Sequence, residues 1–344
     1  MNKKLLTLAV AAAMVAPLAV QAAGTGPTVY GVAHVAVESI DDDANTDTKS
    51  RVNSRQSTLG FKGSEDLGNG LSAIYKMEFQ VDQDGSNDDT GYGLQDNASA
   101  SRNSYVGLAH KDFGTIILGR HDNPIKMMTI SRDQFNTTLG DWNEVAAASG
   151  VAGNMAGANR DNNVILYKSP NFNGFEAVGM VNPGESDAAD GIDDDLASIG
   201  ARYVNGPIYV GAGWEDRDST NGALGADSQE SWRIAASYDI AGFRVSGMYN
   251  ETENVGMVKN VDADTWQLAL SYKFGNTVVK GMYQDGEEDQ AAGSDQEYDA
   301  FALGVDHNFS KRTRVYAVYT ETSVDTTGMN ADVDAFGAGI VHKF

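Results

Sequence analysis

Leu71-Ser72-Ala73-Ile74-Tyr75-Lys76-Met77-Glu78-Phe79-Gln80-Val81 alternates apolar and polar residues. Leu71, Ala73, Tyr75, Met77, Phe79 and Val81 fall on one face of an extended chain. Ser72, Lys76, Glu78 and Gln80 fall on the other. A period of two sustained this long marks a strand with two unlike faces. The turn Asp66-Leu67-Gly68-Asn69-Gly70 precedes it, rich in residues that tolerate left-handed backbone. Before that turn, residues 52–62 repeat the pattern with Leu59 and Phe61 on one face. Residues 28–38 repeat it again with Val29, Ala33, Val35 and Val37 together.

The pattern then runs through 102–109, 115–120, 164–169, 175–181, 196–204, 207–215, 231–239, 243–251, 265–274, 277–284, 298–308, 313–320 and 333–344. Tight turns such as Asn205-Gly206 and Gly275-Asn276 alternate strictly with longer, mostly acidic connections. An even number of up-and-down strands, short-turned at one end and long-looped at the other, is the pattern of outer-membrane barrels. In lipid every backbone polar group must be paired, and closure is the β solution. The expectation is an all-β, 16-stranded antiparallel transmembrane β-barrel, wide enough to enclose a water-filled channel. A soluble sandwich or propeller fits less well, because no blade motif recurs.

Composition agrees. The 344-residue chain has no cysteine, 38 glycines, 6 prolines and a net charge of −23. Such acidity argues against a nucleic-acid partner, while 41% hydrophobic residues argue against disorder. Lys3 and Lys4, the short apolar run of residues 5–20 and the small-residue exit Val20-Gln21-Ala22 read as a signal peptide over residues 1–22. The barrel domain is then 23–344. The five histidines are scattered, and no phosphate loop or catalytic motif appears, so no enzyme chemistry and no cofactor are expected. Asp82-x-Asp84-Gly85-Ser86-Asn87-Asp88 faintly resembles a calcium loop but lacks its twelfth-position glutamate. It reads as an acidic surface loop, at most weakly bridged by divalent cations to lipopolysaccharide.

Several stretches resemble one family. Residues 58–71 (TLGFKGSEDLGNGL), 102–108 (RNSYVGL), Asp112-Phe113-Gly114-Thr115, Gly119-Arg120, Tyr167-Lys168-Ser169-Pro170 and the ending His342-Lys343-Phe344 are similar to the Gram-negative trimeric general porins, neisserial and betaproteobacterial types above all. The resemblance implies a homotrimer in the outer membrane that passes ions and small hydrophilic solutes. It implies a third loop folded into each barrel, and a terminal Phe344 read by the outer-membrane assembly machinery. The runner-up is a substrate-specific channel with a saturable site. An adhesin or barrel enzyme with a closed lumen is the reading from another class.

The third long connection, residues 121–162, lacks the strand pattern and carries Arg132, Asp133, Asp141, Trp142, Glu144 and Arg160. A porin's site is a constriction whose charges set which solutes pass. Strand parity nominates Lys62, Lys76, Arg102 and Lys168 as a basic wall, with outward Leu59, Tyr75, Tyr105 and Tyr167 as the reference. The resemblance adds Arg160. Asp133, Asp141 and Glu144 are the opposing acids. Arg55 and Arg120 have outward parity and belong at a subunit interface or rim. Thr58 and Leu166 point inward where the family usually or often has arginine. The thinner basic wall and the acidic outer loops lead to an expected weak cation preference.

Overall fold

The computed structural model describes residues 26–43, 49–84, 102–149, 159–183, 195–218, 228–289, 295–326 and 329–344. The signal-peptide reading and most of the calcium-like loop lie outside these residues. The strand segments are β1 (Thr28–Asp42), β2 (Lys49–Ser54), β3 (Thr58–Gly68), β4 (Leu71–Gln80), β5 (Ser104–His110), β6 (Gly114–Asp122), β7 (Arg160–Lys168), β8 (Phe175–Pro183) and β9 (Asp195–Asn205). They continue as β10 (Ile208–Arg217), β11 (Gln229–Ile240), β12 (Phe243–Glu253), β13 (Ala263–Phe274), β14 (Thr277–Glu288), β15 (Gln296–Asn308), β16 (Thr313–Thr326) and β17 (Met329–Lys343). Each pairs antiparallel with its neighbours, and β17 closes the sheet on β1. Both β2 and β3 pair with β1 and are two pieces of one wall strand, so the result is a closed 16-stranded antiparallel barrel.

Alternation makes the wall inside-out. Along β13, Thr265, Gln267 and Ala269 are buried inward, while Leu268 and Leu270 are 57% and 50% exposed outward. Such a surface is stable against hydrocarbon, where apolar side chains meet lipid and backbone groups are paired across strands. An aromatic belt rings part of the loop-side outer wall. Trp214 is registered with Trp232, whose ring lies 5.2 Å from Tyr249. Tyr249 is registered with Trp266, 5.4 Å from Tyr283, and Tyr283 with Phe301, 5.8 Å from Tyr319. Phe336 is registered with Tyr319 and ends the belt. Above it the same outer face carries Glu251, Asp264, Asp285, Glu287, Asp299, Glu321 and Asp334.

The C-terminus seals the seam. Gly31 and Phe344 exchange backbone hydrogen bonds of 3.2 and 3.1 Å. The Phe344 ring lies over Gly31 so closely that a Cβ there would sit 2.5 Å from Cζ. Glycine at 31 is what lets the terminal ring lie flat on the wall.

Two sequence expectations about facing change. Val106 and Leu108 are the outward residues of β5, and Tyr105, registered with Lys76, faces inward. The apolar bias of Tyr105 misled the parity, because the tyrosine packs under the third loop. Arg102 still turns inward, since it precedes the regular strand and its N–H bonds the Glu78 carbonyl at 2.7 Å. Arg55 is buried inside rather than outward, because the three residues between β2 and β3 break the alternation.

Candidate functional site

The third loop begins at Asn123, whose side chain accepts the Lys126 N–H at 2.9 Å and caps α1 (Pro124–Thr129). Proline in the first turn suits this start, since its missing N–H would be unpaired anyway. α1 packs on the polar-facing side of β9, β10 and β11. The fit needs bare backbone: a Cβ on Gly213 would stand 2.7 Å from the Ile125 Cα. Met128 packs with Ile74, Ile117 and Leu166, all buried on the same inner face. The chain then crosses to β14 and β15, where Phe135 is fully buried beside Gly304 and Ala302. Leu139 reaches Gly337 of β17. A second helix, α2 (Trp142–Ser149), carries the chain back.

Three acids of this loop have distinct duties. Asp133 is buried and accepts N–H groups from Phe135 at 2.8 Å and Trp142 at 2.9 Å. Asp141 is buried and accepts from Thr137 N at 2.7 Å, Asn143 N at 2.9 Å and Asn136 Nδ2 at 3.1 Å. These two carboxylates tie the loop to itself. Burial raises both above the ordinary aspartate range, and for Asp133 the neighbouring Asp141 charge adds to the effect. Glu144 instead reaches out to Arg55 Nη1 at 2.8 Å. Burial pushes Glu144 up as well, opposed by the Arg55 charge.

Across the lumen the wall is basic. Glu78 pairs with Lys76 at 3.1 Å and Arg102 at 3.1 Å, and accepts the Tyr30 hydroxyl at 2.8 Å. Lys62 Nζ lies 4.8 Å from the Tyr30 ring centroid. Asp122 pairs with Arg160 at 2.8 Å and Lys126 at 3.3 Å and accepts Asn103 Nδ2 at 2.8 Å. Five cations thus gather around two carboxylates, an excess of three positive charges. Below the loop, on the short-turn side, a cavity of about 550 Å³ is lined by Arg244, Lys280, Lys311, Arg312, Arg314 and Lys343 against Asp133 and Asp306.

A narrowed, charged lumen inside a sixteen-strand barrel is porin geometry, and sequence comparison agrees. The family model for Gram-negative porins matches residues 7–327. The chain belongs to the Gram-negative porin family. It is 30% identical to outer membrane porin protein 32 of Delftia acidovorans, over 96% of this chain and 93% of the relative. It is 26% identical to an outer membrane porin of Bordetella pertussis, covering 84% and 82% of the two chains. The solved anion-selective porin from Comamonas acidovorans superposes with a TM-score of 0.76 at 25% identity, over 93% of this chain and 99% of that one. This protein is therefore an outer-membrane general diffusion porin, a channel for ions and small hydrophilic solutes.

In the porin the nominated residues separate into groups. Lys62, Lys76, Arg102 and Arg160 gather on one wall. Lys168 stands apart at the short-turn end of β7, paired with Glu176 at 3.1 Å, which also holds Arg202 at 2.7 Å. Asp133 and Asp141 are internal to the loop rather than facing the basic wall, because buried backbone N–H groups claim their oxygens. Thr58 and Leu166 do point inward, both buried. Lys126, Asp122 and Arg55 were not nominated, while Glu78, inward by strand parity, does face inward. The first was findable: Asn123-Pro124 starts a helix, and Asp122 and Lys126 stand four residues apart.

Proposed function

We propose that this porin is a homotrimeric, passive channel whose neck favours small anions. The excess of cations over carboxylates at the neck carries this reading. A cation preference would require the loop acids to face the solute. Two of them are consumed by the loop's own N–H groups and the third is paired with Arg55. In a narrow neck with low-dielectric walls an excess of three positive charges is felt strongly. The Comamonas acidovorans neighbour is itself described as anion-selective. The channel uses no catalytic group and no cofactor.

The outer wall supports the trimer. The aromatic belt stops where Phe336 meets Ser39 of β1 and where Trp214 meets Ile199 of β9. On the facing strands the outward residues are Val37, Val52, Val181 and Ile199. Interfacial aromatics anchor a wall in lipid headgroups, and a wall where, among the described residues, they thin to Phe79 at the loop side suits contact with another barrel. Arg120, outward beside Leu118 and bonded to Asn162, sits on this side, where a subunit contact spares it from lipid. The acids above the belt suit the lipid-facing wall, where divalent cations bridge carboxylates to lipopolysaccharide phosphate. The terminal Phe344, lying flat at the seam, suits recognition by the assembly machinery.

Planar-bilayer recording of the purified protein tests the reading. Three-step closures and a reversal potential of anion sign in a salt gradient are expected. A cation-sign potential overturns the preference, block by one solute alone favours a substrate-specific channel, and absence of conductance overturns the open channel.

A further inference from the structure

We infer that Arg55 is the far latch of the constriction loop, the residue that fixes how far the loop reaches across the lumen. The inference rests on the channel reading above and goes beyond it by naming what sets the aperture.

The wall is broken to put Arg55 there. Between β2 and β3 the regular ladder to β1 is interrupted over three residues: the Arg55 N–H still bonds the His34 carbonyl at 3.0 Å, and side chains supply the rest. Ser57 Oγ accepts the His34 N–H at 2.9 Å and donates to the His34 carbonyl at 3.0 Å. Ser54 Oγ donates to the Val81 carbonyl at 3.1 Å. These bonds spare the backbone the cost of a lapse in lipid. Their yield is a side chain turned against strand parity: Arg55 is 3% exposed, inside the barrel. A break of this kind, with its bonding repaired, is a device that re-aims a side chain, as bulges do.

Arg55 has carboxylates on both sides. Its Nε bonds Glu38 of β1, and its Nη1 bonds Glu144 of α2 at 2.8 Å. Glu38 is itself fixed by Asn53 Nδ2 at 2.9 Å and Arg51 Nε at 3.5 Å. The wall therefore presents a guanidinium held by Glu38 to a carboxylate on the loop. The planar fork of arginine can hold both partners at once, which a lysine point charge cannot.

The topology gives the pair its leverage. α1 is seated on β9 to β11, and Arg55 stands between β2 and β3 on the opposite side of the closed sheet. The loop is thus pinned near its start by α1 and again on its return limb by Glu144, with the lumen between. Apolar packing of Phe135 and Leu139 holds the middle. Trp142 and Val145 also pack on the wall, and the Gln284 amide donates to the Trp142 carbonyl at 3.3 Å, so loss of the Glu144 pair changes reach without removing the packing.

The test is single-channel recording of Arg55→Gln, Glu144→Gln and the double variant, with heat-modifiable gel migration to show that each barrel is assembled. Both single variants are expected to raise the ratio of partly closed to open time by at least about tenfold, as loss of a buried pair implies. The double variant is expected to add nothing to either single one, the signature of one shared interaction. Arg55→Lys is expected to restore part of the effect. If Arg55→Gln does not assemble, Glu144→Gln decides, because Glu144 is on no wall strand. Wild-type closures in Glu144→Gln, or additive effects in the double variant, overturn the latch. A wild-type protein that forms no channel overturns the channel reading and not the pairing.

Discussion

Replacing Phe135 by alanine should loosen the constriction loop while leaving the barrel standing. The ring is fully buried, seated where a Cβ on Gly304 would come within 2.9 Å of it, and Lys280 Nζ lies 4.7 Å from its centroid. A buried phenyl removes roughly 150–250 Å² from water, worth about 4–6 kcal/mol at about 25 cal/mol per Å². Alanine keeps the Cβ and the site partly relaxes, so a loss of about 3–5 kcal/mol is reasonable. The cation–π contact with Lys280 contributes about 0.5–2 kcal/mol within that sum. Lys280 keeps its bonds to the Gln134 carbonyl at 2.9 Å and to Asp306 at 3.1 Å, so the loop is not released outright. Even about 3 kcal/mol changes the ratio of detached to seated loop on the order of a hundredfold. The strand ladders do not involve Phe135, so migration of the folded barrel on gels should stay unchanged. Open-channel noise and partial closures in planar bilayers should rise sharply, and amide exchange should quicken over residues 133–142. Wild-type noise together with wild-type exchange would refute the claim that this ring anchors the loop.

Three further outcomes follow from the same geometry. The Asp133 and Asp141 carboxyls are raised by burial, so the folded loop holds protons that the unseated loop would release. Loop anchoring should therefore be strongest on the acid side and weaken as pH rises above the ordinary aspartate range, seen as channel noise growing with pH; noise growing on acidification would contradict this sign. Asp133→Asn should flatten that pH profile, and it should also raise the noise at every pH, because the Phe135 and Trp142 N–H groups bond different oxygens and asparagine puts an NH2 donor in place of one of them. Gly31→Val should lower the yield of heat-modifiable barrel by displacing the Phe344 ring, and an unchanged yield would mean the seam tolerates a rearranged terminus.

The wall was legible because lipid makes the strand code simple. Over the middle of β13, Gln267 inward and Leu268 and Leu270 outward state their facing by polarity, and the structure agrees there. Legibility failed where a side chain's polarity and its facing part company. Tyr105 is aromatic yet faces inward, since a loop packed on the inner wall gives apolar groups a second place to go. Arg55 follows no parity because the strand stops around it. Within the loop, the identity of the acids was readable but their duty was not. An aspartate that accepts backbone N–H groups two and nine residues onward looks, as a letter, like one that faces a pore.

The charge of the whole chain need not be the charge its pore presents, and the strand period explains why. On β14, Lys280 and Gln284 face inward, while Asp285, next to Gln284 in sequence, and Glu287 face outward. On β16, Arg314 lies toward the cavity while Glu321 stands outward beside Tyr319. Neighbours in sequence are thus separated by a low-dielectric wall, with lipid or water beyond it. At physiological salt a charge is screened over about 8 Å, so the outer acids act on what surrounds the barrel and the inner cations act on what passes through it. A net charge of −23 therefore says little about what a solute meets. The solute meets the inner residue of each pair, and selectivity has to be counted from those alone.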